Sequence, residues 1–121
     1  KGSVTTGLTR RVGYNKALEL CLLGEFIDGK EAHRIGLVNR VVPSADLMTA
    51  ARELAAGVVA NAPLSVAAIL DIGRRTAHMD PIEAMSAIKS FESYRTAVDS
   101  EDAQEGNLSF AEKRAPVWKG R

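Results

Sequence analysis

The chain has 121 residues, with 16 Lys+Arg against 15 Asp+Glu, a formal net charge of +1, 45% hydrophobic and 26% charged residues. That length suits one small domain, and the composition argues against disorder. Near-balanced charge with no long basic block gives no footing for a nucleic-acid partner, and no apolar run reaches the roughly 18 residues that a membrane span needs. The single Cys21 excludes an intramolecular disulfide and fits a reducing compartment, so a cytoplasmic location is expected. The chain starts at Lys1 with neither Met nor a secretory pattern, and 121 is expected to be the length of a piece.

Residues 1–13, with Gly2, Gly7 and Gly13 among Ser and Thr, read as loop or turn. A short helix follows, with Leu18, Cys21 and Leu22 at helical spacing and Gly24 as its stop. Asp28-Gly-Lys-Glu31 opens another with a capping-box pattern, and Gly36 supplies a left-handed stop two turns later. Leu37–Val42 carries three valines before Pro43 and predicts the one strand. A lone strand leaves backbone groups unpaired, so either its sheet lies outside this sequence or the segment is extended chain over a helix face.

Ser44 caps the clearest helix, whose apolar stripe is Leu47, Met48, Ala51, Leu54, Ala55, Val58 and Val59. Pro63 begins the next, with Val66, Ile69, Leu70, Gly73 and Ala77 as its stripe. Asp80-Pro81 opens a third, with Met85, Ile88, Phe91 and Val98 expected inward. Ser100-Glu-Asp102 caps the last helix, which ends at Lys113-Arg114, so acids and bases complement the helix dipole. The fold class predicted is mostly α with a short β-strand.

The residue sets of familiar chemistry are missing. There is no Gly-x-Ser-x-Gly elbow, no phosphate loop and no Gly-x-Gly-x-x-Gly. His33 and His78 are far apart and outside any His-Glu-x-x-His, so surface roles are expected and no metal site is predicted. Cys21, on an apolar helix face, is expected to pack rather than react. No carboxylate precedes Glu19, and Glu31, Glu53, Glu83 and Glu92 fall on polar helix faces. No catalytic residue is assigned. Binding chemistry gathers instead at the C-terminus, where Phe110 and Trp118 sit among Lys113, Arg114 and Lys119. Aromatic faces stack on bases and cations neutralise phosphates, which suits a nucleotide-bearing cofactor. The alternative is a dipole-compensated helix end followed by a tail that Trp118 pins to a core.

Taken together, several stretches resemble the enoyl-CoA hydratase/isomerase (crotonase) family. They are Ala17-Leu-Glu-Leu, Gly24, Ile27-Asp28, Glu31-Ala32 and Ile35-Gly-Leu-Val-Asn-Arg-Val-Val-Pro43, then Ala60-Asn-Ala-Pro-Leu64. Ser100-Glu-Asp-Ala-Gln-Glu-Gly106, Phe110, Glu112-Lys-Arg114, Pro116 and Lys119-Gly120 complete the series. Each landmark alone is weak, and their order and spacing over residues 8–120 make the set specific. The resemblance is to the C-terminal half of a family whose members are about twice this length.

The resemblance implies the end of a ββα spiral core over residues 1–43 and a helical oligomerisation region over 44–121, which completes a CoA site. It implies an enzyme acting on acyl-CoA thioesters, whose enolate is held by an oxyanion hole of two backbone N–H groups. Both donors and the family's usual glutamates would precede Lys1, so the segment alone is expected to be inactive. Lys1 also stands near a position where some relatives carry a catalytic aspartate, and Gly2-Ser-Val-Thr-Thr6 departs from a common Gly-Gly-Thr stretch. Hydration, isomerisation, hydrolysis and decarboxylation all stay open. The positions matching Phe110 and Lys113 line the CoA adenine pocket in the family. The partners implied are an acyl-CoA substrate and further copies of the chain, as a trimer or hexamer. CoA enters as part of the substrate, and no other cofactor is implied. A non-catalytic helical oligomerisation or adaptor module is the alternative.

Overall fold

The computed structural model describes residues 3–121, with side chains from Gly7 onward, and divides the chain into two units, residues 1–50 and 51–121. The first unit holds α1 (Ser3–Val12), α2 (Tyr14–Leu23) and α3 (Gly29–Arg34). The loop expected over residues 1–13 is therefore helical from Ser3. Packing of α1 on α2 outweighs the roughly 1 kcal/mol that Gly7 costs inside a helix. Only Gly13, at φ 80, breaks the chain there.

The local stop and start signals take the form expected of them. Gly24 closes α2 in the left-handed region at φ 65, its N–H donating to the Leu20 carbonyl at 3.1 Å. The Asp28 carboxylate caps α3 by accepting from the Glu31 N–H at 2.8 Å. Glu31 does not reach back to complete a capping box. It accepts two hydrogen bonds from Arg34 at 2.6 and 2.7 Å, with Lys16 at 3.5 Å, and Arg34 above all holds its carboxyl at about 2.

The strand predicted at Leu37–Val42 does not form, and there is no strand anywhere among the described residues. The segment instead doubles back along α3. Leu37 and Val38 both donate to the Ala32 carbonyl, at 2.8 and 3.3 Å, and Val38 O lies 3.3 Å from His33 Nδ1. Farther on, the Val41 methyls stand where a side chain on Gly29 would be, 3.2 Å from that Cβ position. Valine-rich composition predicts extended backbone, and it cannot say whether a ladder or a helix face will satisfy it. Cys21 is exposed rather than buried, because α2 turns Ala17 inward and leaves Leu22 and Leu23 outward.

A 3₁₀ turn at Ser44–Asp46 precedes α4 (Leu47–Val59), so the capping expected of Ser44 is replaced by a tight turn after Pro43. In the second unit, α5 (Pro63–Thr76) has Pro63 in its first turn. Next come α6 (Pro81–Ile88), α7 (Glu92–Val98) and α8 (Glu101–Glu112). Asp80 caps α6 by accepting from the Ile82 and Glu83 N–H groups at 2.9 and 3.0 Å. The single helix predicted beyond Asp80 breaks at Lys89–Phe91. There the Ser90 hydroxyl donates to the Ala87 carbonyl at 2.7 Å and competes with the helical pattern. The break drives the Phe91 ring inward to 4% exposure, with the Arg75 guanidinium 3.6 Å from its centroid.

α5 packs on α7 through Ala68, Asp71 and Arg75, where the Ser93 hydroxyl donates to Asp71 at 2.6 Å. The apolar stripes read from the sequence lie elsewhere. Leu47, Met48, Leu54, Val58 and Val59 on α4, and Ile69 and Leu70 on α5, are all exposed. Met85 and Val98, expected inward, are exposed as well, while Phe91 and Ala97 are buried. No single helix among the described residues is long and apolar enough to cross a membrane.

Candidate functional site

α8 and the nine residues after it form the most ordered polar arrangement in the second unit. At the start of α8, Ser100 Oγ accepts from the Ala103 N–H at 3.1 Å and its hydroxyl donates to the Ala97 carbonyl at 2.7 Å. Asp102 follows, buried to 2% exposure in the first helical turn. Its two oxygens accept the backbone N–H groups of Lys119 (2.7 Å) and Gly120 (2.9 Å), so the carboxylate grips the returning tail.

At the other end, Lys113 takes the left-handed conformation, φ 53 and ψ 39, the only non-glycine residue to do so among those described. The Lys113 N–H donates to Phe110 O (3.3 Å) and the Arg114 N–H to Ser109 O (3.1 Å), the bond pair of a Schellman stop. Glycine is the residue this geometry favours, since a Cβ costs roughly 1–2 kcal/mol there. Phe110, one turn earlier, is 87% exposed.

The remaining cations of the tail are engaged. Arg114 donates to both oxygens of Glu105, at 2.5 and 2.9 Å, and from Nε to Glu112 at 2.6 Å. Glu105 also accepts the Val117 N–H at 2.8 Å. The Arg114 guanidinium, and after it that N–H, hold the Glu105 carboxyl at about 2. Lys119 and Arg121 both pair with Glu101, at 2.9 and 3.2 Å, and Lys119 leads in drawing its carboxyl below the usual range. Lys113 differs. Its ammonium has no carboxylate or hydrogen-bond partner among the described residues.

Trp118 fastens the tail. Its Nε1–H donates to the Ala60 carbonyl at 2.8 Å, and its ring lies over Gly106, where a Cβ would meet it at 3.6 Å. A hollow of about 540 Å³ beside α8 is lined by Glu101, Asp102, Glu105, Leu108, Arg114 and Lys119, and its cations are already neutralised. Among the cations of the tail, Lys113 is therefore the one left unpaired, three residues after the exposed Phe110. An exposed ring and an unpaired ammonium one helical turn apart offer stacking to a base and neutralisation to a phosphate.

Sequence reasoning singled out Phe110, Lys113, Arg114, Trp118 and Lys119 but missed what separates them. Glu105, nine residues before Arg114, carries no local signal that it will claim that arginine. Asp102 was legible only as a capping residue, whereas its carboxylate spends both oxygens on the tail. Among the described residues no three His, Cys, Asp or Glu side chains converge as metal ligands would.

The model of the family described as enoyl-CoA hydratase/isomerase matches residues 1–121. A carnitinyl-CoA dehydratase of Escherichia coli O157:H7 is 50% identical over 105 residues, covering 85% of this chain and 40% of that protein. The crystal structure of an enoyl-CoA hydratase from Mycobacterium tuberculosis superposes with a TM-score of 0.84 at 32% identity, over 99% of this chain and 47% of that one. An enoyl-CoA hydratase from Mycobacterium marinum gives a TM-score of 0.85 at 32% identity, over 100% and 47%. The chain thus spans less than half the length of these relatives.

Proposed function

The chain belongs to the enoyl-CoA hydratase/isomerase family, and on that premise we propose that it is part of an enzyme acting on acyl-CoA thioesters, in which Phe110 and Lys113 form one side of the CoA pocket. The observation that carries this is Lys113, the tail cation left without a carboxylate partner, held one turn from an open phenylalanine face. Adenine stacks on the Phe110 ring and the Lys113 ammonium meets a phosphate of the same nucleotide. A non-catalytic adaptor would share the exposed apolar faces but have no use for this pair.

A dehydratase and hydratases among the relatives support addition or removal of water as the reaction, with double-bond isomerisation as the alternative. In that chemistry an oxyanion hole holds the thioester enolate while carboxylic acids move protons at the adjacent carbons. In this reading the segment supplies binding rather than those acids, and near Phe110 and Lys113 the Glu105 and Asp102 carboxylates are committed to Arg114 and to tail N–H groups. The location proposed is the cytoplasm, which the single free Cys21 suits, with CoA as part of the substrate. The open stripes of α4 and α5 supply contacts between copies in a trimer or hexamer.

Calorimetry of CoA binding to the full-length protein tests the pocket. Replacing Phe110 and Lys113 together by Ala is expected to weaken binding by roughly ten- to hundredfold, the worth of a lost base stack and a charge contact. An unchanged Kd in the double variant would overturn it.

A further inference from the structure

On the footing of the CoA pocket proposed above, we infer that Arg114 is a positioning residue: it occupies the Glu105 and Glu112 carboxylates of α8 and so keeps Lys113 free for the ligand phosphate. Two cations, Lys113 and Arg114, stand side by side at the start of this tail, and two glutamates of α8, Glu105 and Glu112, pair with the second of them. Arg114 satisfies both at once, with a two-pronged contact to Glu105 (2.5 and 2.9 Å) and its Nε against Glu112 (2.6 Å). A planar guanidinium with five donors in a fixed fork suits that double engagement, whereas an ammonium is a point charge on a flexible stem.

The backbone makes the division of labour specific. Arg114 follows Lys113 directly, after the left-handed turn at Lys113, and of the two only Arg114 reaches the α8 carboxylates. Arg114 is drawn back over α8 to Glu105, while Lys113, three residues after the exposed Phe110, pairs with no carboxylate among the described residues. Without Arg114, Glu112 becomes an unpaired carboxylate on the residue next to Lys113. The lysine stem is long enough to close on it. An ammonium that pairs with its own chain must break that pair before it meets a phosphate, and affinity falls by the cost of doing so.

The same geometry predicts suppression. If Arg114 serves by shielding Lys113 from Glu112, then neutralising Glu112 makes Arg114 dispensable for CoA binding. If Arg114 only ties down the tail through Glu105, removing the charge of Glu112 repairs nothing.

The experiment is a set of four variants of the full-length protein: Lys113→Ala, Arg114→Gln, Glu112→Gln and the Arg114→Gln/Glu112→Gln pair. Free CoA is titrated by calorimetry, and turnover is measured with the CoA thioester and with a pantetheine thioester lacking the nucleotide. Arg114→Gln is expected to weaken CoA binding roughly three- to fivefold. It should raise KM for the CoA thioester without lowering kcat, and leave the pantetheine thioester unaffected. The pair is expected to bind within about twofold of wild type, a difference too small to count as a lost charge contact. Should Arg114→Gln fold poorly, Arg114→Lys replaces it, with a smaller loss that Glu112→Gln again erases. A loss that the pair does not restore, or equal losses with both thioesters, would overturn the positioning role. An Arg114→Gln variant that binds like wild type while Lys113→Ala does not overturns it too, yet leaves the pocket standing. Wild-type binding by Lys113→Ala removes the pocket itself.

Discussion

Trp118 Nε1 donates to the Ala60 carbonyl at 2.8 Å, joining positions fifty-eight residues apart in sequence. The bond ties the tail to the turn between α4 and α5, where Ala60 would otherwise leave a helix-end carbonyl without a partner. Gly106 lets the indole lie down on α8. Together with the hold of Asp102 on Lys119 and Gly120, this makes residues 113–121 a strap along α8.

Trp118→Phe keeps most of the ring contact and deletes the donor. It is expected to cost about 1 kcal/mol, the net worth of one intramolecular hydrogen bond. Trp118→Ala also loses half-buried ring area and should cost more, about 2 kcal/mol. Urea denaturation followed by circular dichroism measures both. Equal losses in the two variants would show that the indole N–H, and not the ring, carries the contact.

Asp102→Asn tests the grip at the other end of α8. The carboxylate accepts one backbone N–H on each oxygen, and an amide presents a donor where one acceptor stood. Loss of a charge-assisted bond at a buried site should cost roughly 2–3 kcal/mol. Amide exchange at Lys119 and Gly120 is expected to quicken well before exchange in α5. Unchanged protection at both amides would contradict the strap.

How much of this was readable beforehand follows from which interactions are local. Gly24, the Asp28 cap, Asp80-Pro81 and the Ser100 cap work within four residues of chain, and each stands where the pattern placed it. α1 was not readable, because Gly7 and the threonines argue against a helix that only packing on α2 sustains. Leu37–Val42 has strand composition but finds its hydrogen-bond partners on α3. The stripe of α5 is apolar, yet the face that meets α7 carries Asp71 and Arg75, a choice made by the Phe91 ring and the Ser93 hydroxyl. At the candidate site the residue types were visible. What distinguishes Lys113 from Arg114 depends on Glu105, nine positions upstream, and on a left-handed turn at a residue that is not glycine.

Glu105 gives the strap a pH dependence. Its carboxyl titrates at about 2 in the folded chain against an ordinary 4.5. Between those values the unfolded chain takes up a proton that the folded chain refuses, so stability falls as the pH falls from about 4.5 to about 2 and is complete above that window. Trp118, the single tryptophan, reports the tail directly. Its emission is expected to change through this window in the wild type, ahead of any loss of helix signal. Glu105→Gln should show a loosened tail already at pH 7 and a smaller further change at low pH, the part that Glu101 contributes through Lys119 and Arg121. Superimposable titrations of the two proteins would exclude Glu105 as the group that holds the strap.

Lys113 separates stability from binding. Its left-handed backbone is disfavoured for any side chain with a Cβ, and such residues gather where a side chain is needed for a ligand rather than for folding. Lys113→Gly removes the conformational cost and the ammonium together. Thermal stability should be unchanged or higher by up to about 1 kcal/mol, since glycine suits the Schellman stop. CoA affinity should nonetheless fall, by roughly the three- to fivefold of a lost charge contact. Lys113→Ala makes the contrast sharper, because it keeps the backbone cost while losing the same charge: it should match the glycine variant in affinity and lie below it in thermal midpoint. If the glycine variant bound CoA as tightly as the wild type, the ammonium would have no part in the pocket. If it melted well below the alanine variant, the left-handed turn would not be the source of the cost.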